Sequence, residues 1–176
     1  MLRRTRTIGI SLGAALAGEY RSMANTLVQL YIHVMFHVKS TSVPMRPDDL
    51  SRVFSYMSGG VREMGGTAIA IGGMTDHVHI LASLPKTMSV SSFVGGIKSQ
   101  SSKWIKTVDA EAYQAFAWQD GYGAFSVSSS ILERVQHYVI NQAAHHTAKM
   151  ISYEEEYREW LERYHVEYDE KYAFAY

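Results

Sequence analysis

The sequence predicts an α+β fold, an antiparallel sheet with helices packed on it in the ferredoxin-like, split βαβ order. Two observations carry this expectation. Runs rich in β-branched and aromatic residues alternate with stretches whose apolar residues recur every three or four positions, so the pattern switches repeatedly between strand and helix periods. The resulting order is β-α-β-β-α-β-(β)-α-α, which matches the split βαβ arrangement, and no internal repeat or low-complexity segment competes with it.

Residues 27–38, LVQLYIHVMFHV, read as a long first strand. His33 and His37 share one of its faces, where packing or surface roles are the ordinary assignment and metal ligation is the alternative. After the turn-like stretch Ser40–Pro47, residues 48–64 place Leu50, Val53, Phe54, Met57 and Val61 at helical spacing, although Gly59-Gly60 weakens the middle of that helix. Thr67–Met74 and His77–Leu84 then form two strand-like runs joined as a hairpin.

From Ser89 to Ile105 the apolar set Val90, Phe93, Val94, Ile97, Trp104 and Ile105 fits one helix face. Lys98, Lys103 and Lys106 lie on the other, which suits phosphate contacts or simply solvent. Phe116–Val127 reads as strand, glycine-containing bend and strand, with Trp118 and Phe125 as core residues by default. Ser130-Ile-Leu-Glu133 has the spacing of a capping box, so a helix is expected to start there and run to about Met150 with Tyr138 and Gln142 in its third turn. A charged helix over 154–164 and a polar, aromatic tail complete the chain.

The 176 residues suit one domain with tails. Hydrophobic content of 47% and charged content of 19% are ordinary for a globular chain and exclude both wholesale disorder and a membrane-embedded protein. Without cysteine there are no disulfides, thiolate metal sites or cysteine nucleophiles, so any metal must be held by nitrogen and oxygen. Net charge is zero, but residues 151–176 carry eight of the 17 acidic and only three of the 17 basic side chains. The rest is therefore net positive, as a nucleic-acid-binding body would be.

At the N-terminus, Arg3, Arg4 and Arg6 precede a short apolar run that resembles a secretory signal but is too short to span a bilayer. We expect residues 1–22 to be an extension or a misassigned start, residues 23–150 the catalytic domain and residues 151–176 an acidic helix and tail. A cytoplasmic protein with no membrane association follows from that division.

His77 and His79 are one residue apart in a predicted strand, so both rings leave the same face of the sheet in a metal-holding geometry. With eight histidines in the chain the pair is a weak signal alone, and a structural pair is the plain alternative. Tyr138 and Gln142, four apart on a predicted helix, are neighbours on one face and can serve the same metal or phosphate. By themselves, twelve tyrosines and the usual packing roles of tyrosine argue for the ordinary assignment.

Several long motifs in order change that balance. Thr75-Asp-His-Val-His-Ile-Leu81, Lys98-Ser-Gln-Ser-Ser-Lys-Trp-Ile105, Trp118-Gln-Asp-Gly-Tyr-Gly-Ala-Phe-Ser-Val127, Tyr138-Val-Ile-Asn-Gln-Ala-Ala-His-His146 and Tyr168-Asp-Glu-Lys-Tyr172 together resemble the HUH-type single-tyrosine transposases of bacterial insertion sequences and the REP-associated tyrosine transposases. The similarity covers residues 24–172.

This resemblance implies that His77, His79 and Gln142 hold a divalent cation, Mg²⁺ or Mn²⁺, and that Tyr138 is the nucleophile, giving a 5′-phosphotyrosine and a free 3′-hydroxyl. It also implies single-stranded DNA with hairpin ends as the partner and a homodimer in which each tyrosine helix completes the other subunit's site, as in many insertion-sequence relatives, with the monomer of REP-associated relatives as the alternative. Lys98 and Lys103, on the polar face of their helix, are the expected phosphate contacts. No general base for the tyrosine is legible, and His137, His145 and His146 are assigned to structure or DNA contact. A DNA-binding regulator or domesticated relative that no longer transposes, and an unrelated metal-dependent phosphohydrolase, are the competing functions.

Overall fold

A computed structural model describes residues 26–149 and 151–174. The extension expected over residues 1–22 lies outside the described residues.

Four strands, β1 (Tyr31–His37), β2 (Thr67–Gly73), β3 (His77–Ser83) and β4 (Gly123–Val127), pair antiparallel in the spatial order β2-β3-β1-β4. The connections between β1 and β2 and between β3 and β4 contain α1 (Leu50–Glu63) and α2 (Val90–Val108). This is the ferredoxin-like α+β arrangement that the sequence predicts. Four further helices follow, α3 (Leu132–Ile140), α4 (Gln142–Lys149), α5 (Tyr153–Arg163) and α6 (Glu170–Ala173).

Because strand side chains alternate, the two faces of the sheet build separate cores. Val34, Phe36, Val78 and Ile80 point to one face and pack with Val53 and Met57 of α1 and Phe93 and Ile97 of α2. On the opposite face, Met35 and Phe125 pack with Tyr157, Trp160 and Leu161 of α5, while Leu81 and Val127 pack with Val135 and Val139 of α3. Strand β3, covered on both faces, is buried along nearly its whole length. Burial of each such aliphatic side chain stabilises the fold by about 1.5–3 kcal/mol.

Two glycines let the second helical layer approach the sheet. A Cβ on Gly72 would lie 2.0 Å from the backbone carbonyl oxygen of Val139 in α3, and one on Gly123 would lie 2.6 Å from Cε2 of Tyr157 in α5. The hydrogen atom at each position leaves the room that α3 and α5 occupy.

Several boundaries differ from those expected. The first strand begins at Tyr31, and Leu27 is exposed ahead of it. The strand expected before the 116–127 bend is reduced to one bridge between Val38 and Trp118, although Trp118 and Phe125 are core residues as anticipated. Ser130 lies inside a 3-10 turn over Ser129–Ile131 and shares a hydrogen bond with the Ser128 hydroxyl, so no capping box forms there. The box is instead Ser152 with Glu155, at the start of α5. The long helix expected from 130 to 150 is interrupted at Asn141, whose side chain donates back to the His137 carbonyl at 2.7 Å. The acidic segment set apart as a tail contributes Tyr153, Tyr157, Trp160 and Leu161 to the core. Among the described residues no helix is long and apolar enough to cross a membrane.

Candidate active site

The register of the sheet assembles the site. His79 lies opposite Met35 and beside Gly72, while His77 pairs with His37. The side chains of His77 and His79 therefore emerge on the face covered by α3 and α5, and both are buried. Each ring is held from behind through Nδ1. His77 Nδ1 is 2.7 Å from Asp76 Oδ1, and His79 Nδ1 is 2.9 Å from Nε2 of His33. Such a partner fixes ring orientation and, in the tautomer with the proton on Nδ1, leaves Nε2 free to act as a ligand.

Both Nε2 atoms face Glu156, a carboxylate from the first turns of α5 with no solvent exposure. Its Oε2 is 3.1 Å from His146 Nε2, 3.2 Å from His79 Nε2 and 3.7 Å from His77 Nε2. Its Oε1 accepts a hydrogen bond from the Tyr138 hydroxyl and another from Gln142 Nε2 at 3.0 Å. Trp160 Nε1 donates to the same tyrosine oxygen at 3.0 Å. Tyr138, His77, His79 and Gln142 are thus brought together, with Glu156 at their centre.

Electrostatics follow from this enclosure. Burial pushes the Glu156 carboxyl up, but the close approach of His79, the hydrogen bond from Tyr138 and the nearby His77 outweigh it and hold the group well below the carboxylate range. For Tyr138, burial and the adjacent Glu156 charge push the phenol well above its ordinary value. Burial lowers both His33 and His77, in each case reinforced by His79 and opposed by nearby carboxylates. Asp76 is raised by burial but driven lower still by its hydrogen bonds with His37 and His77.

The donor set suits a divalent cation. Among the described residues, the buried polar atoms without a hydrogen-bond partner include His77 Nε2, His79 Nε2 and Gln142 Oε1, which belong to the three residues that the sequence resemblance nominates as ligands. His77, His146 and Glu156 also place ligand atoms within 4.8 Å of one another, a candidate metal centre in its own right. Imidazole nitrogen beside carboxylate and amide oxygen is a mixed set, compatible with manganese and less typical of magnesium.

The model of the family described as Transposase IS200 like matches residues 26–142. The chain belongs to this family. Among solved structures it is similar to a presumed transposase from Deinococcus radiodurans R1, at 18% identity and a TM-score of 0.54, with 67% of this chain and 94% of that one covered. A REP-associated tyrosine transposase bound to a REP hairpin aligns at 14% identity and a TM-score of 0.48, covering 69% of each chain. No curated protein matches the sequence.

Two site residues fall beyond the portion matched by the transposase family, Glu156 and His146. Sequence reasoning missed Glu156 and assigned His146 to structure or DNA contact, and it left His33 as an ordinary packed residue where the fold makes it the support of His79. A signal for Glu156 was present. Tyr153, Tyr157, Trp160 and Leu161 form an apolar stripe at helical spacing, and Glu156 falls within that arc rather than on the solvent face.

Lys98 and Lys103 are not brought to the site. Both belong to α2, which packs on the opposite face of the sheet. Lys98 Nζ donates to the carbonyls of Gln119 at 2.6 Å and Gly121 at 2.8 Å, with Asp120 at 3.3 Å, and burial lowers it to about 8 against the opposing charge of Asp120. Its ammonium clamps the 119–121 loop instead of presenting a free charge to phosphate. Lys103 is exposed on that same distant layer.

Proposed function

We propose that this chain cleaves and rejoins single-stranded DNA at hairpin ends of a mobile or repetitive element, with Tyr138 as the nucleophile. One observation carries the reading. The Tyr138 hydroxyl and the histidine pair converge on the two oxygens of one buried carboxylate, Glu156. A tyrosine hydrogen-bonded at a cluster of histidine, glutamine and glutamate is what metal-assisted phosphoryl transfer to a phenol requires.

His77, His79 and Gln142, with Glu156 and His146 alongside, would hold a divalent cation, which when bound supplies Lewis-acid stabilisation of charge on the scissile phosphate. Tyr138 rests protonated because the neighbouring carboxylate opposes its ionisation. As its oxygen attacks phosphorus, the phenolic proton passes to Glu156 Oε1, along the hydrogen bond already in place. Trp160 holds the tyrosine oxygen in position through Nε1. The bond from phosphorus to the 3′ oxygen breaks, that oxygen takes a proton from solvent water while Glu156 returns its own to solvent, and a 5′-phosphotyrosine remains with a free 3′-hydroxyl. Attack by another 3′-hydroxyl reverses these steps and rejoins the strand without an external energy source.

Tyr138 meets the histidine pair of its own chain, an arrangement that would let each copy of the expected homodimer carry its own site. Hairpin recognition and action on DNA in the cytoplasm are what the family resemblance implies.

Incubation of the full chain with single-stranded hairpin DNA and Mn²⁺ or Mg²⁺ tests the proposal. A protein–DNA adduct that survives denaturing electrophoresis is expected, and Tyr138→Phe should form none. Binding without an adduct would identify a DNA-binding relative that no longer transposes, and strand cleavage by the Phe variant would identify a hydrolase.

A further inference from the structure

A cavity of about 470 Å³ opens between α3 and α5, with Tyr138 in its lining. Arg134, Tyr138, Glu159, Trp160, Arg163 and Tyr164 help to line it. Its volume falls in the range of small-ligand sites, about 300–1,000 Å³.

Three features determine what fits. Arg134 stands one helical turn before Tyr138 on α3, so its guanidinium shares the face that carries the nucleophile. Arg163 lies over the Trp160 ring, 5.1 Å from its centroid. Both arginines are exposed, and neither forms an ion pair with a carboxylate of the described residues. Half-buried Tyr164 is stacked on the buried Trp160, with centroids 5.8 Å apart and planes 23° from parallel, so Tyr164 is the aromatic ring this wall offers and Trp160 backs it. The Glu159 carboxylate leaves the cleft one positive charge in excess, enough for a phosphodiester but poorly suited to a free multivalent anion.

We propose that this cleft holds one unpaired nucleotide of the DNA strand beside the phosphate attacked by Tyr138, its phosphate against Arg134 and Arg163 and its base on the Tyr164 ring. Stacking on an aromatic wall needs an unpaired base, so the cleft selects single strands over duplex. The α5 wall lies outside the portion of the chain matched by the family, which makes this a feature of the chain's own C-terminal helix. The inference rests on the cleavage reading for which phosphate is nearby, but its test needs no cleavage.

The test is equilibrium binding of fluorescein-labelled oligodeoxythymidine to the full chain in EDTA, followed by anisotropy across a salt series. Arg134→Gln and Arg163→Gln are each expected to weaken binding roughly tenfold at low salt and to reduce the log–log salt slope by about 0.7. Arg62→Gln, on α1 across the sheet, should bind as the native chain does. Since both cleft arginines are exposed, their variants should melt with the native protein. Photocrosslinking of 4-thiothymidine in the same strand is expected to label Tyr164.

Native-like binding by both arginine variants, absence of binding by the native chain, or equal displacement by duplex would each overturn the proposal. Adduct formation alongside native-like binding by the variants would remove the cleft alone. Arginine-dependent binding without any adduct would remove the cleavage reading and leave the cleft standing.

Discussion

Gly72 and Val139 meet backbone to backbone: a Cβ on the glycine would stand 2.0 Å from the valine carbonyl oxygen and 3.0 Å from its carbon. Gly72 is also the cross-strand neighbour of His79, and Val139 directly follows Tyr138. The contact therefore sets how near the tyrosine helix comes to the histidine strand. Gly72→Ala cannot be absorbed by a flexible side chain, so α3 must move outward. Overpacking of this kind costs about 1–3 kcal/mol, and a displacement near 1 Å lowers a rate on the order of 100-fold. Gly72→Ala should fold, retain hairpin DNA binding and form the covalent adduct about a hundred times more slowly. An adduct rate equal to that of the native chain would show that this contact does not position Tyr138.

Glu156 is asked to take a proton, which a neutral isostere cannot do. Glu156→Gln keeps an oxygen for the Tyr138 hydroxyl, and its adduct rate should fall by about 10²–10⁴, the usual range for loss of a general base. Glu156→Asp, with a carboxylate on a shorter stem, should recover part of the loss. Glu156→Ala is a different experiment, since it strands Tyr138, Gln142 and His146, each unsatisfied buried group costing about 1–3 kcal/mol. Single-turnover adduct kinetics beside thermal melts separate the two effects. Equal rates for the Gln and native proteins would remove the carboxylate from the chemistry.

Cation binding should register as stability. A ligand present at a hundred times its dissociation constant stabilises the folded state by about 2.7 kcal/mol, or roughly 5–11 °C in melting temperature for a chain of this size at about 2–4 °C per kcal/mol. Adding Mn²⁺ to chelator-treated protein should give such a rise, and His77→Ala and His79→Ala should abolish it. A rise that persists in both variants would place the cation elsewhere. A rise lost in His146→Ala but not in Gln142→Ala would favour the His77, His146 and Glu156 set over the set nominated from sequence.

Much of this architecture was legible before any coordinates. The change of period along the chain identified the sheet and helices, and the period-2 rule placed His77 and His79 on one face without reference to their partners. Tyr138 and Gln142 were read as helical neighbours for a reason only partly true: the helix breaks at Asn141, yet both side chains reach the same Glu156 oxygen. Glu156 itself was hidden because three successive glutamates look like a solvated helix start. Only the phase set by the Ser152 cap turns Glu154 and Glu155 outward and the third inward. Lys98 misled for the opposite reason. A cation on the polar side of an amphipathic helix gives no sign of the distant carbonyls that will claim it, since loop residues 119–121 approach only through the tertiary fold.

Acid should unfold the metal-free protein in two stages. His33 and His77 have folded-state values lowered from the ordinary 6.5, so the unfolded chain binds their protons first and stability falls as pH drops through that value. Glu156 and Asp76 are also lowered, from ordinary values of 4.5 and 3.8, so their contribution is fully present above those values and is lost as pH falls through and below them. Both effects have the same sign and occupy separate windows. Melting temperature in EDTA should therefore decline below about pH 6.5, the ordinary imidazole value, and decline again below about pH 4.5. Glu156→Gln should weaken the second decline, because it removes a titrating carboxyl, and deepen the first, because its charge opposes the lowering of His33 and His77. His33→Gln should weaken the first and leave the second. A melting temperature that rises between pH 7 and pH 5 would mean that the buried imidazoles gain stabilisation on protonation, and the assignment of neutral rings at His33 and His77 would fail with it.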